Sequence, residues 1–140
     1  MKHSIGIDLG GTDIKAGLVS ATGELSCQVV LPTHVDAGPK AVASRIAKAT
    51  REVLAKAEEQ RTTDIIGIGL GAPGLIIAET GVVHFSPNFP GWTDIPLVDD
   101  VKKALGIQSL PVFMDNDVNA MTLGELRHGA GVGYQSIVAL

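Results

Sequence analysis

A single cysteine, Cys27, stands in 140 residues. That excludes an internal disulfide and any cysteine-built zinc cluster within the chain. Aromatic residues make up only 4% of the sequence, so Val, Ile, Leu and Ala must build the core. No basic cluster is present and the formal net charge is −4, so no nucleic-acid partner is expected. No stretch approaches the ~20 apolar residues of a membrane span. The segment Met1 to Gly11 meets Asp8 before any long apolar region forms, so it does not read as a signal peptide. Charged residues reach only 19%, below the roughly 25% of an average globular protein, which argues against a disordered tail. These absences describe one compact domain with no membrane attachment in a reducing compartment, expected to be the cytoplasm.

What is abundant is apolar residues, at 45%, and glycine, at 17 of 140. Ser4 to Leu9, Ile14 to Val19 and Leu25 to Leu31 read as three strands joined by short turns, which predicts an antiparallel meander. Gly38-Pro39 opens a long helix whose Val42, Ile46, Ala49, Val53 and Ala57 share one face. Ile65 to Leu70 is a buried strand that should pair parallel after the helical crossover. Leu75 to Phe85 predicts a small hairpin turning at Glu79-Thr80-Gly81. A helix follows over Asp94 to Leu105, then a fifth strand over Pro111 to Met114 and a helix over Val118 to Leu126. The expected organisation is a domain over residues 1–135, followed by Ser136 to Leu140 as the opening strand of a second, truncated domain.

Three constellations carry candidate chemistry. In Asp8-Leu9-Gly10-Gly11-Thr12-Asp13-Ile14-Lys15 a carboxylate leaves a strand end, and two glycines let backbone N–H groups face an anion without a Cβ in the way. Thr12 adds a hydroxyl, Lys15 a positive charge, and Asp8 a hard oxygen ligand suited to Mg²⁺. A plain glycine hairpin turn has the same core, but Asp, Thr and Lys together favour phosphate. In Asp115-Asn116-Asp117-Val118-Asn119 a strand end meets a helix start, where α/β sheets bind ligands. One of these aspartates could accept a hydroxyl proton during phosphoryl transfer, and one of the polar residues is expected to cap the helix. The loop Ser86-Pro87-Asn88-Phe89-Pro90-Gly91-Trp92 is stiffened by prolines. It offers Asn88 as a polar contact for a carbohydrate, while Trp92 is expected to pack in the core. Ala72-Pro73-Gly74 reads equally as a strand-ending turn. His3, His34, His84 and His128 lack metal-ligand spacing.

Taken in order, these segments resemble the ROK family of bacterial sugar kinases and repressors. Asp8 to Lys15 is similar to its first phosphate motif, Pro87-Asn88-Phe89-Pro90-Gly91-Trp92 to its sugar-binding loop, and Asp115 to Glu125 to its catalytic segment. The resemblance implies an α/β fold of the ribonuclease-H-like, actin-like ATPase type: a mixed five-stranded sheet, its first three strands antiparallel, with helices on both faces. It implies ATP-dependent phosphorylation of a hexose or N-acetylhexosamine, usually at the 6-hydroxyl. Carried over, Asp117 is the general base and contacts the sugar. Asn116 holds the sugar, and Gly74 and Asn88 line its pocket. Asp8, Gly10, Gly11, Thr12 and Lys15 face ATP, with Asp8 toward Mg²⁺. Position 115, commonly Glu in the family, is Asp here. The resemblance places a second phosphate motif, a structural zinc, further sugar contacts and the adenosine site in a second domain. The fragment alone is therefore expected to be inactive, and the full-length protein to be a homodimer. The alternative is the sugar-sensing domain of a ROK-type repressor. Such repressors carry a helix-turn-helix segment ahead of this region, which the early first strand disfavours.

Overall fold

A computed structural model describes residues 1–135. β1 (His3–Leu9) alternates Ile5, Ile7 and Leu9 with Gly6 and Asp8. Successive side chains on a strand point to opposite faces, so one face of β1 is apolar and buried while the other carries a glycine and an exposed carboxylate. β2 (Asp13–Ser20) and β3 (Leu25–Pro32) follow as antiparallel neighbours. The helix α1 (Pro39–Glu59) begins with Pro at its first position, where a missing N–H costs nothing. It buries Val42, Ile46, Ala49, Val53 and Ala57. Fully burying a side chain such as Ile46 is worth about 1.5–3 kcal/mol, and the alanines on this stripe keep the helix close to the sheet.

After α1 the chain enters β4 (Ile65–Ala72), parallel to β1. β5 (Leu75–Ile77), β6 (Val82–Phe85) and β7 (Thr93–Ile95) form a small antiparallel sheet. Next come α2 (Leu97–Leu105), β8 (Val112–Asn116) and α3 (Asp117–His128). The main sheet is five-stranded in the order β3-β2-β1-β4-β8. Its first three strands are antiparallel and β4 and β8 are parallel. One continuous core joins its apolar face to α1 and α2, and α3 starts on the opposite face, against Gly71. This is the mixed sheet and helix arrangement the sequence implied.

The differences lie at element ends. Asp94 to Pro96 are not helical: Thr93–Ile95 pairs with β6, and Asp94 takes φ 50°, which no helix accommodates. β8 runs on to Asn116 because Gly71 and Ala72 of β4 pair with Asp115 and Asn116. Both polar residues therefore belong to the sheet rather than to a loop. Trp92 is buried and stacks on Phe89 with ring centroids 4.5 Å apart. Cys27, within β3, is buried. The strand expected over Ser136 to Leu140 lies outside the described residues.

Candidate functional site

Strand register builds the site. Asp8 pairs with Lys15 on one side and with Gly71 on the other, and Gly71 pairs with Asp115. Paired residues of adjacent strands share a face, so Lys15, Asp8, Gly71 and Asp115 form one row across four strands, on the face turned away from α1. A Cβ on Gly71 would lie 3.4 Å from the Cα of Asp117. Asp8 and Asp117 thus flank the same glycine. Asp8, Lys15, Asp115 and Asp117 line one groove of about 930 Å³. Gly10, Gly11, Thr12, Gly74, Asn88 and Asn116 are not among its lining residues.

The turn after β1 is closed by the Gly10 N–H donating to the carbonyl of Asp13 at 2.9 Å. A Cβ on Gly10 would lie 2.9 Å from that same oxygen, a separation side chains do not sustain, so this position needs glycine. Gly11 and Thr12 are exposed. Among the described residues neither of their N–H groups has a partner. Two unpaired amides beside an exposed carboxylate fit a phosphate with its magnesium, since Mg²⁺ takes one or two carboxylates plus phosphate oxygens. Among the described residues no group of three or more His, Cys, Asp or Glu could hold a metal by itself. From the carbonyl side the turn is held by Thr33, just past β3: its N–H donates to the carbonyl of Thr12 and its Oγ1 to that of Gly10, both at 2.8 Å.

In the segment after β8, the helix cap is Asn116. Its Oδ1 accepts from the N–H groups of Val118 (2.9 Å) and Asn119 (3.2 Å), the pattern of a side-chain N-cap. Its Nδ2 donates to the carbonyl of Gly74 at 2.8 Å. Asp115 accepts from the Asn116 N–H and the Asn119 side chain. Asp117 keeps more freedom: Oδ1 accepts only from the adjacent Val118 N–H, and Oδ2 has no partner among the described residues. A half-buried carboxylate with one free oxygen in a groove can accept a proton from a bound hydroxyl.

Gly74 adopts φ 103°, and a Cβ there would lie 2.2 Å from the Phe85 carbonyl oxygen. Only glycine lets the end of β4, the start of the 86–92 loop and the Asn116 cap meet. Asn88 is exposed on that loop and makes no hydrogen bond among the described residues. Its neighbours Phe89 and Trp92 anchor the loop in the core.

Sequence reasoning passed over Gly71 and Thr33. Gly71 had a legible signal: Gly67, Gly69 and Gly71 recur at the two-residue strand period, which leaves one face of β4 without side chains. Thr33 had none, because its side-chain partner, Gly10, lies 23 residues away.

The sequence pattern of the ROK family matches residues 4–140. A glucokinase from Thermotoga maritima is 45% identical over 136 residues, covering 97% of this chain and 40% of that protein. A xylose repressor from Caldicellulosiruptor bescii is 33% identical over 121 residues, covering 86% of this chain and 29% of that protein. Among solved structures, a ROK hexokinase from Thermus thermophilus superposes with a TM-score of 0.77 at 37% identity, covering 94% of this chain and 40% of that one. A ROK family glucokinase from Streptomyces griseus, in complex with glucose and AMPPNP, gives 0.72 at 37% identity, covering 94% and 38%. The chain therefore spans about 40% of the length of the glucokinase it matches. The family match and these likenesses agree: the chain belongs to the ROK family.

Proposed function

We propose that this chain is the N-terminal part of an ATP-dependent sugar kinase, transferring the γ-phosphoryl group to a hydroxyl of a hexose or N-acetylhexosamine, the 6-hydroxyl foremost. The observation that carries the reading is that Asp8 and Asp117 flank Gly71 in one groove. A carboxylate at the root of an anion-binding turn and a proton acceptor on one sheet face suit in-line transfer between two bound substrates. The glucokinase and hexokinase likenesses support it.

On this reading the sugar lies between Gly74, Asn88 and Asn116 on one side and Asp117 on the other. Asp117 accepts the proton of the attacking hydroxyl as the sugar oxygen bonds to the γ-phosphorus and the bond to the leaving ADP oxygen breaks. The N–H groups of Gly11 and Thr12 hold phosphate oxygens, and Lys15 adds charge from the same face. Asp8 would hold Mg²⁺, which when bound neutralises charge developing on the phosphates. Asn116 fixes the start of α3, and with it the position of Asp117.

The test is a coupled assay of the full-length gene product with ATP or polyphosphate and a panel of glucose, N-acetylglucosamine, N-acetylmannosamine and fructose. Sugar-dependent ADP release supports the kinase. Sugar binding without turnover, under any donor, would favour the sugar-sensing domain of a repressor.

A further inference from the structure

We propose that Thr33 is a positioning residue for the phosphate-binding turn, setting the direction in which the Gly11 amide points. This rests on the kinase reading of the turn. Thr33 is wholly buried, and it reaches the turn twice, through its N–H to the carbonyl of Thr12 and through its Oγ1 to the carbonyl of Gly10. In a planar trans peptide the C=O and N–H point in opposite directions. Drawing the Gly10 carbonyl inward toward Thr33 therefore drives the Gly11 N–H outward, on the side where it has no partner among the described residues.

The need for such a device follows from the sequence. Gly10-Gly11 has more backbone freedom than any other residue pair, so left alone it would spread its amides over many directions. Three contacts remove that freedom: the Gly10 N–H to Asp13 carbonyl bond, and the two bonds from Thr33. The anchor is itself held. Arg45 of α1 donates from Nε to the carbonyl of Pro32, the residue before Thr33. A chain of hydrogen bonds thus runs from the long helix through the end of β3 to the turn. Both donors sit on a wholly buried residue, which limits competition from water and preserves the directional strength of the two bonds.

The experiment compares Thr33→Val and Thr33→Ser with wild type in the full-length protein. Val keeps the shape and the backbone bond but removes the hydroxyl; Ser keeps the hydroxyl. Thr33→Val is expected to raise KM for ATP about tenfold while KM for the sugar stays within about twofold, and Thr33→Ser is expected to restore the ATP value. Unchanged ATP kinetics in Thr33→Val overturns the proposal. So does an equal rise in both KM values that Ser does not rescue, which marks a merely structural residue. If Thr33→Val does not fold, Thr33→Cys, a weaker donor, must show the same selective rise or the proposal fails. If wild type phosphorylates no sugar, the kinase reading fails separately. Calorimetric binding of inorganic triphosphate then decides: binding weakened in Thr33→Val supports the positioning role, and equal or no binding in wild type and variant overturns it.

Discussion

The side-chain amide of Asn116 donates to the carbonyl of Gly74 at 2.8 Å, while its oxygen caps α3. One side chain therefore ties the end of β4 to the segment that carries Asp117. Asn116→Ala removes the cap and leaves the Gly74 carbonyl without its donor. The expected cost is about 2 kcal/mol, from a cap of about 1 kcal/mol and a similar hydrogen bond. Asn116→Ser keeps a capping oxygen and loses only the donor to Gly74, so it should cost about half as much. Urea unfolding of the three proteins checks this order, and equal midpoints for Asn116→Ala and wild type would refute the tie.

Among the described residues the Asp117 side chain makes one hydrogen bond, to the N–H of the next residue, so little of the fold depends on its charge. Asp117→Ala in the full-length protein should lower kcat by about 10²–10⁴ while the thermal midpoint stays near wild type. Near-normal turnover would remove Asp117 from the role of base.

Gly74 tests the backbone. Its φ of 103° and the 2.2 Å approach of a Cβ to the Phe85 carbonyl oxygen leave no room for alanine. Gly74→Ala should destabilise by about 1–3 kcal/mol or more, the cost of a strained backbone with a displaced strand end added. Sugar affinity should fall with it, because the loop carrying Asn88 starts at Ser86, against Gly74. A melting curve that overlays wild type would sink this account.

How far the sequence revealed the site depended on the range of the interaction. Strand alternation at Ile5, Ile7 and Leu9, and the helical stripe from Val42 to Ala57, are local patterns, and the sheet and α1 appear where they predict. β7 was not legible: Thr93–Ile95 is too short to show alternation and owes its conformation to pairing with β6. At the site, the residue types around Asp8 and Asp117 were legible as chemistry. Their placement around Gly71 was not, because register between β1, β4 and β8 is set by tertiary packing. Which of Asp115, Asn116 and Asp117 caps α3 is likewise not legible in the sequence, since all three residue types suit an N-cap; the Oδ1 of Asn116 takes the two helical N–H groups.

Gly71 separates the two carboxylates, and that separation can be probed against a neighbour on the same strand. A Cβ at Gly71 would stand 3.4 Å from the Asp117 Cα and 3.8 Å from the Ala120 Cβ, whereas one at Gly69 would meet nothing within 4 Å. Both substitutions to Ala reduce the backbone freedom of the unfolded chain, which alone favours stability by about 0.4–1 kcal/mol. Their effects on activity should diverge. At Gly71 the added methyl comes into van der Waals contact with the start of α3 and fills groove space between Asp8 and Asp117. Crowding the space where the reacting groups meet misplaces them, and misplacement costs rate steeply, about 10²-fold for 1 Å, so a roughly tenfold fall in kcat is expected with the fold intact. Gly69→Ala, two residues down the strand and clear of α3, should lose less. Thermal melts and kcat measured side by side for the two variants decide it. Equal losses, or none at Gly71, would show that the open space over this glycine is not needed for the transfer.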